Sequence, residues 1–210
     1  MKIAILADIH GNYPALCAAV EHLERWAPDL VIVAGDTVNR GPSSAACWSF
    51  VRQRQREQGW QVILGNHEEY VISQGAPDAP REGPKFELAR VSYWTYGQLG
   101  AEAVKELQAL PFSLEVRRNG RIAWPVRVAH GSMLGTRDGI YPFTPDSELH
   151  QKSGTPPPVV FCVGHTHQPL VRELGGLLVV NAGSVGMPFD GDARLCYAQV
   201  SWHHGAWHAA

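Results

Sequence analysis

The chain has 210 residues, 45% of them hydrophobic, and 18 basic against 20 acidic side chains. That length supports a sizeable core without help from disulfides or a structural metal, and a near-neutral charge with no long basic tract excludes the footprint of an extended nucleic-acid surface. No run is long and apolar enough to span a bilayer. The amino terminus MKIAILADIH reaches Asp8 too soon for a signal-peptide core. Cys17, Cys47, Cys162 and Cys196 are far apart with no CxxC pair, and read as small buried hydrophobes in a reducing, cytoplasmic setting.

In chain order, KIAILA at 2–7 predicts a buried strand, and a helical pattern begins near Pro14, with Leu16, Val20 and Leu23 on one face. LVIVA at 30–34 predicts a second strand, followed by a helix from about Ser43 to Gln58 and a third strand, WQVIL. HEEYVI opens a further helix. GAPDAPREGP at 75–84 is a turn-rich connection, and 85–109 reads as a helix in two pieces, broken near Gly97 and Gly100. SLEVRR and RIAWPVRVAH flank Asn119-Gly120, which predicts a hairpin. A long irregular stretch at 131–157 reads as a lid or substrate loop. VVFCV, then LVREL and LLVVN around Gly175-Gly176, then LCYAQVSW predict the last strands. His203, His204 and His208 in the tail HHGAWH lack partner carboxylates and read as solvated. Parallel strands with helices come first and antiparallel strands later, an α/β layout in a single domain over 1–210.

The polar residues fall at strand ends. Asp8 and His10 follow the first strand, Asp36 the second, Asn66 and His67 the third, His130 the hairpin, and His165 and His167 the run VVFCV. In open α/β sheets, ligands gather outside the carboxyl ends of the strands. Each residue alone has a dull explanation as a cap or turn residue, but their coincidence at one edge points to a metal centre. In an extended segment, His165 and His167 at i and i+2 would face one pocket. Asp8, His10, Asp36, Asn66, His130, His165 and His167 are too many donors for one tetrahedral ion. They suit two divalent ions that share a carboxylate. Nitrogen and oxygen donors without thiolate fit Mn, Fe, Zn, Co or Ni and disfavour Ca or Mg. The set does not choose among these transition metals; Mn is the ion expected in vitro.

ADIHGN, GDTVNRGP, GNHE, AHGS and GHTH, in this order from residue 7 to 167, resemble the calcineurin-like metallophosphoesterase superfamily. The resemblance implies a four-layer αββα sandwich with two mixed sheets, at the boundary of α/β and α+β. It also implies that Asp8, His10 and His167 hold one metal, that Asn66, His130 and His165 hold the other, and that Asp36 bridges them. His67 would be the acid beside the leaving group. GDTVNRGPSS is similar to the phosphate-contacting segment of serine/threonine phosphatases and diadenosine tetraphosphatases, which makes Arg40 a phosphate ligand. The chain's size and the ending GHTHQP…NAGSVGMPFDGD look more like small bacterial phosphodiesterases.

The implied reaction is hydrolysis of a phosphate ester by a metal-bridging hydroxide, with Arg40 as a planar charged fork and His67 as proton donor. The substrate would be a small phosphate ester or nucleotide. A diester is favoured over a phosphomonoester, a phosphoprotein or a dinucleoside polyphosphate. Asn12 is a substrate contact or a helix N-cap. Arg137 is a clamp for a second phosphate or a solvated surface arginine. A homo-oligomer is compatible with the chain. AGSVG at 182–186 resembles a nucleophile elbow, but Met187-Pro188 follows where a helix should start. No GxGxxG follows the first strand, against a dinucleotide-binding enzyme. A catalytically silent scaffold with this fold is the rival from another class, and retention of every donor and of His67 weighs against it.

Overall fold

The computed structural model describes residues 1–117 and 125–210. Strand β1 (Lys2–Leu6) is apolar after Lys2 and buried on both faces, as a central strand covered on both sides must be. It pairs in parallel with β2 (Leu30–Val33), so a crossover has to connect them. Helix α1 (Tyr13–Trp26) is that crossover, and its Leu16, Ala19, Val20 and Leu23 face the sheet. The Asn12 side chain accepts the Ala15 N–H at 3.2 Å to start the helix, and Ala27 ends it in the left-handed region. Helix α2 (Ser44–Gln58) stops at Gly59, also left-handed, and β3 (Gln61–Val62) adds in parallel to β2.

Helix α3 (Asn66–Ser73) leads to α4 (Gly83–Gln108), which is interrupted at Gly100, with φ +77°, and runs through Gly97. Strands β4 (Ser113–Val116) and β5 (Val126–Ala129) are antiparallel, as the hairpin reading expects, while its Asn119-Gly120 turn lies outside the described residues. β6 (Val160–Val163), β7 (Leu170–Leu174), β8 (Leu177–Asn181) and β9 (Ala198–His203) follow. The tail read as solvated forms β10 (Ala206–Ala209), paired antiparallel to β9. His203 ends β9, His204 lies in the turn and His208 is on β10, and all three are exposed.

The two mixed sheets run β10-β9-β1-β2-β3 and β4-β5-β6-β8-β7. Three apolar layers hold them. Leu6 and Val33 pack with Leu16, Val20 and Trp48 of the helices. Ile3, Ile5 and Ile32 pack with Val128, Cys162 and Val180 between the sheets. Phe161 and Val163 pack with Ile140 and Leu149 on the far side. Each fully buried Leu, Ile or Phe contributes about 1.5–3 kcal/mol.

The last layer corrects the expectation for 131–157. The stretch contains helix α5 (Asp146–Ser153) and buries Ile140 and Leu149, so it is the outer wall of the second sheet rather than a lid. Arg172 at the sheet edge donates to the Thr144 carbonyl at 2.6 Å and helps hold it there. Among the described residues no helix is long and apolar enough to cross a membrane.

Candidate metal centre and active site

The carboxyl ends of β1, β2, β3, β5 and β6 meet at one edge of the sandwich, and the backbone there is unusual. Of nine non-glycine residues with positive φ among those described, seven are Asp8, His10, Asp36, Asn39, Arg40, His165 and His167. Left-handed backbone at such residues costs on the order of 1–3 kcal/mol each. Surrounding hydrogen bonds hold it in place. His10 N–H donates to the Asp36 carbonyl at 2.9 Å, and His165 N–H donates to Asp8 Oδ2 at 2.8 Å. His165 and His167 therefore reach the same site from a tight left-handed turn, with Thr166 N–H donating to Gly164 O at 2.8 Å, rather than from an extended segment.

The donor atoms form two groups that share Asp36. In the first, Asp8 Oδ1 is 3.1 Å from His167 Nε2 and 3.8 Å from His10 Nε2, and the two imidazole nitrogens are 3.2 Å apart. In the second, Asn66 Oδ1 is 2.9 Å from His130 Nε2 and 2.8 Å from His165 Nδ1. Asp36 Oδ2 is 3.6 Å from His10 Nε2 and 3.3 Å from His130 Nε2. Asp8, His10 and His167 have ligand atoms close enough to share one cation, as do Asp8, Asp36 and His130, and His10, Asp36 and His67.

The residues fit metal on two further counts. Asp8 Oδ1 is buried without a hydrogen-bond partner, a cost that a cation would remove. The far nitrogens of two imidazoles are also committed to carbonyls, which only accept. His130 Nδ1 donates to Ala34 O at 2.8 Å and His167 Nδ1 to Met187 O at 2.5 Å, leaving each Nε2 aimed at the centre.

Charge follows the geometry. Burial opposes ionisation of Asp36, yet His130 and then His10 hold its carboxyl well below the usual range. Burial likewise opposes the cationic form of His130, but the Asp36 carboxylate pushes its pKa up to about 10. His167 is raised, against burial, by the Asp8 carboxylate beside it. Burial lowers both His10 and His165. Asp36 and His130 thus favour the charged pair and His167 is drawn the same way, while His10 and His165 are drawn toward the neutral form.

His67 stands beside these groups on the first turn of α3, its N–H donating to Asp36 Oδ1 at 2.8 Å. Burial lowers its pKa to about 4, and the Arg40 charge adds to this. The reason is visible in its partners. Asn39 Nδ2 is 2.9 Å from His67 Nδ1, and Arg40 Nε is 3.4 Å from His67 Nε2. Both ring nitrogens face donors, which disfavours the imidazolium, since that form has no nitrogen left to accept. The Asn39 amide cannot flip, because its Oδ1 accepts from Arg40 N–H at 2.9 Å and from Thr95 Oγ1 at 3.3 Å. Its other amide hydrogen goes to Ser92 Oγ at 2.9 Å.

Two expected substrate residues are engaged elsewhere. Asn12 caps α1 and donates from Nδ2 to Gly186 O at 2.9 Å. The Arg137 guanidinium lies 4.8 Å from the Tyr70 ring centroid and 3.4 Å from a Glu69 oxygen.

Sequence reasoning missed four residues that order the site. Glu68 is fully buried and accepts from the backbone N–H of Asp36, Thr37, Val38 and Gly65, tying the loop after β2 to the start of α3. Burial and the Asp36 charge push its pKa up to about 7, while these donors favour the carboxylate. Glu68 and Asn39 lie inside the motifs GNHE and GDTVNRGP, where a signal was present. Ser92 and Thr95 sit on α4 with no motif around them, and only packing brings them to Asn39. The loop 182–189 closes the far side, with Ser184 Oγ donating to Asp8 O at 2.8 Å. Gly186 is required there, since a Cβ would fall 1.9 Å from the Ile9 carbonyl oxygen.

A model of the calcineurin-like phosphoesterase superfamily domain matches residues 1–204. An uncharacterized protein of Methanocaldococcus jannaschii is 25% identical over 93% of this chain and 80% of its own length. The crystal structure of a metallophosphoesterase from Sphaerobacter thermophilus is 28% identical, over 95% of this chain and 82% of its own, with a TM-score of 0.70. Phosphodiesterase YfcE of Escherichia coli K12 is 21% identical over 91% of this chain and 83% of its own. With the match running nearly end to end and metal-ligand groups at the strand ends, the chain belongs to the calcineurin-like phosphoesterase superfamily, the hydrolases of phosphoric ester bonds.

Proposed function

We propose that the protein is a dinuclear-metal phosphodiesterase acting on a small organic phosphate or nucleotide ester. Asp8, His10 and His167 would hold one divalent transition-metal ion, and Asn66, His130 and His165 the other. Asp36 would contact both. The observation that carries this reading is the position of Asp36 Oδ2, within 3.6 Å of His10 Nε2 and 3.3 Å of His130 Nε2. Bound divalent ions at such a centre supply a nucleophile at neutral pH and neutralise phosphoryl charge.

The chain's own residues do the rest. Arg40 carries a permanently charged planar fork and makes no ion pair among the described residues, so it is free to bind phosphoryl oxygen. Turning toward phosphate takes the guanidinium away from His67 Nε2. The Asn39 amide keeps His67 Nδ1 as the acceptor, so Nε2 carries the hydrogen and can donate a hydrogen bond to the departing oxygen as charge develops on it. Asp36 and Glu68 fix the backbone on which His67 stands.

A diester is favoured because it carries one negative charge. Among the described residues only one arginine, Arg40, lines the cavity next to His67, and Arg137 contacts Glu69 and Tyr70. The phosphodiesterase relative of E. coli points the same way. The test is turnover of bis(4-nitrophenyl) phosphate against 4-nitrophenyl phosphate with Mn, Ni, Co, Zn and Mg in turn. Metal-dependent diester hydrolysis is expected, with loss in Asp36→Asn and a fall of ~10²–10⁴ in His67→Ala. Preference for the monoester would overturn the diester assignment. No turnover despite bound metal would overturn the enzyme.

A further inference from the structure

A cavity of about 690 Å³ opens beside His67 and Arg40, between α3, the first half of α4 and Met187. None of Asp8, His10, His130 or His165 lines it, so it lies to one side of the metal centre. Resting on the reading of His67 as proton donor, this is the side from which the alcohol leaves. The volume falls in the ordinary range for small-molecule sites and far exceeds what a methyl or ethyl ester needs.

Its walls have a definite chemistry. Leu88, Ala89 and Val91 of α4 and Met187 opposite give an apolar interior. Leu88 is 90% exposed and Val91 50% exposed, so packing does not account for their apolar character. The charged side chains in the lining are Arg40 and Lys85, and no carboxylate joins them. Lys85 makes no ion pair among the described residues.

Spacing along α4 orders these features. Ser92 touches Asn39, and through it the His67 end. Ala89 and Leu88 are one turn earlier and Lys85 one turn earlier again. Seven residues of helix at ~1.5 Å each place Lys85 roughly 10 Å from Ser92 along the axis.

We infer that the cavity binds the leaving-group half of the ester, and that this half is a ring-bearing anion of nucleotide size whose charge is held about two helical turns along α4 from the Ser92 end of the cavity. Ala89, Val91 and Met187 enclose its apolar body and Lys85 pairs with its far charge. The position of Ser92 couples the wall of this cavity to the Asn39–His67 pair.

The test uses ethyl phosphodiesters of three phenols on the metal-loaded protein: phenol, biphenyl-4-ol and 4′-phosphonobiphenyl-4-ol, the last with its phosphonate at the required reach. The expected kcat/KM for the phosphonobiphenyl ester is at least 10-fold above that for the biphenyl ester. The ratio falls to about one in Lys85→Ala and inverts in Lys85→Glu. Ala89→Trp, which fills the cavity, abolishes the advantage of either biphenyl ester over the phenyl ester. Equal kcat/KM for all three esters in the unaltered protein would overturn the inference while leaving the phosphodiesterase reading intact. Isothermal titration with the free phosphonobiphenylol decides it independently of turnover. Binding that weakens at least 10-fold in Lys85→Ala supports it, and no binding overturns it even if the protein hydrolyses no ester.

Discussion

The Asn39 side-chain amide lies 2.9 Å from His67 Nδ1, and its orientation is locked by Arg40 N–H on its oxygen. A donor at this place keeps Nδ1 unprotonated. Burial lowers the His67 pKa to about 4, and once Arg40 turns to phosphate as proposed the neutral ring would carry its hydrogen on Nε2. Asn39→Asp puts a carboxylate against Nδ1, and an opposite charge at that range raises a histidine pKa by roughly 1–3. NMR titration of the His67 ring is expected to show that rise. An alkaline limb is expected to enter the kcat/KM profile of the variant near the new pKa, because the neutral ring then carries its hydrogen on Nδ1 and only the imidazolium has one on Nε2. An unchanged His67 titration would contradict the hydrogen-bond assignment.

Arg40 approaches the same ring at Nε2, 3.4 Å away, and its charge contributes to the low pKa of His67. In the proposed role Arg40→Ala would lose charged hydrogen bonds to phosphate, worth ~1.5–3 kcal/mol, so kcat/KM should drop roughly 10- to 100-fold. The His67 pKa should rise in the same variant. Arg40→Lys keeps the charge without the fork and is expected to recover the pKa more fully than the rate. Steady-state kinetics and ring titration on the two variants separate these effects.

The metal-free centre stores protons where cations would bind. His130 is pushed up to about 10 and His167 is also raised, both by carboxylates that a cation would take over. Metal binding must expel these protons, so affinity should increase with pH and fall as the solution is acidified. Calorimetry of Mn binding in buffers of different ionisation enthalpy is expected to report proton release at pH 7. A signal independent of buffer would place the protons elsewhere. Chelation should lower the Tm, since a ligand that binds only the folded state stabilises it.

Glu68 has a structural claim that can be tested apart from chemistry. Oε1 accepts from Thr37 and Val38, and Oε2 from Asp36 and Gly65. In Glu68→Gln one of these oxygens becomes an amide nitrogen facing two backbone donors. Stranding buried donors costs about 1–3 kcal/mol, so the denaturant midpoint should move down by that much. His67 is carried on the same backbone, and kcat is expected to fall with little change in KM. Glu68→Ala should be worse on both measures.

Much of the molecule was legible beforehand because its periodicities are local. KIAIL and LVIV are apolar runs closed by polar turns, and Asn12 with Pro14 announces the start of α1. The residues that converge at the centre could be named from their place after strands. What α5 and β10 would become could not, since DSELHQKS is polar and only packing on the second sheet and pairing with β9 make these segments regular.

The order of chemical groups along the chain by itself determined the family and named the candidate donors, with His67 beside them. Tertiary structure alone decided how those groups act. The seven left-handed residues of the site, the Asn39 amide that sets the His67 tautomer, and the α4 wall carrying Lys85 all depend on contacts between segments distant in sequence. Side-chain type follows from sequence, but its protonation, partner and direction are set by the neighbours that folding supplies.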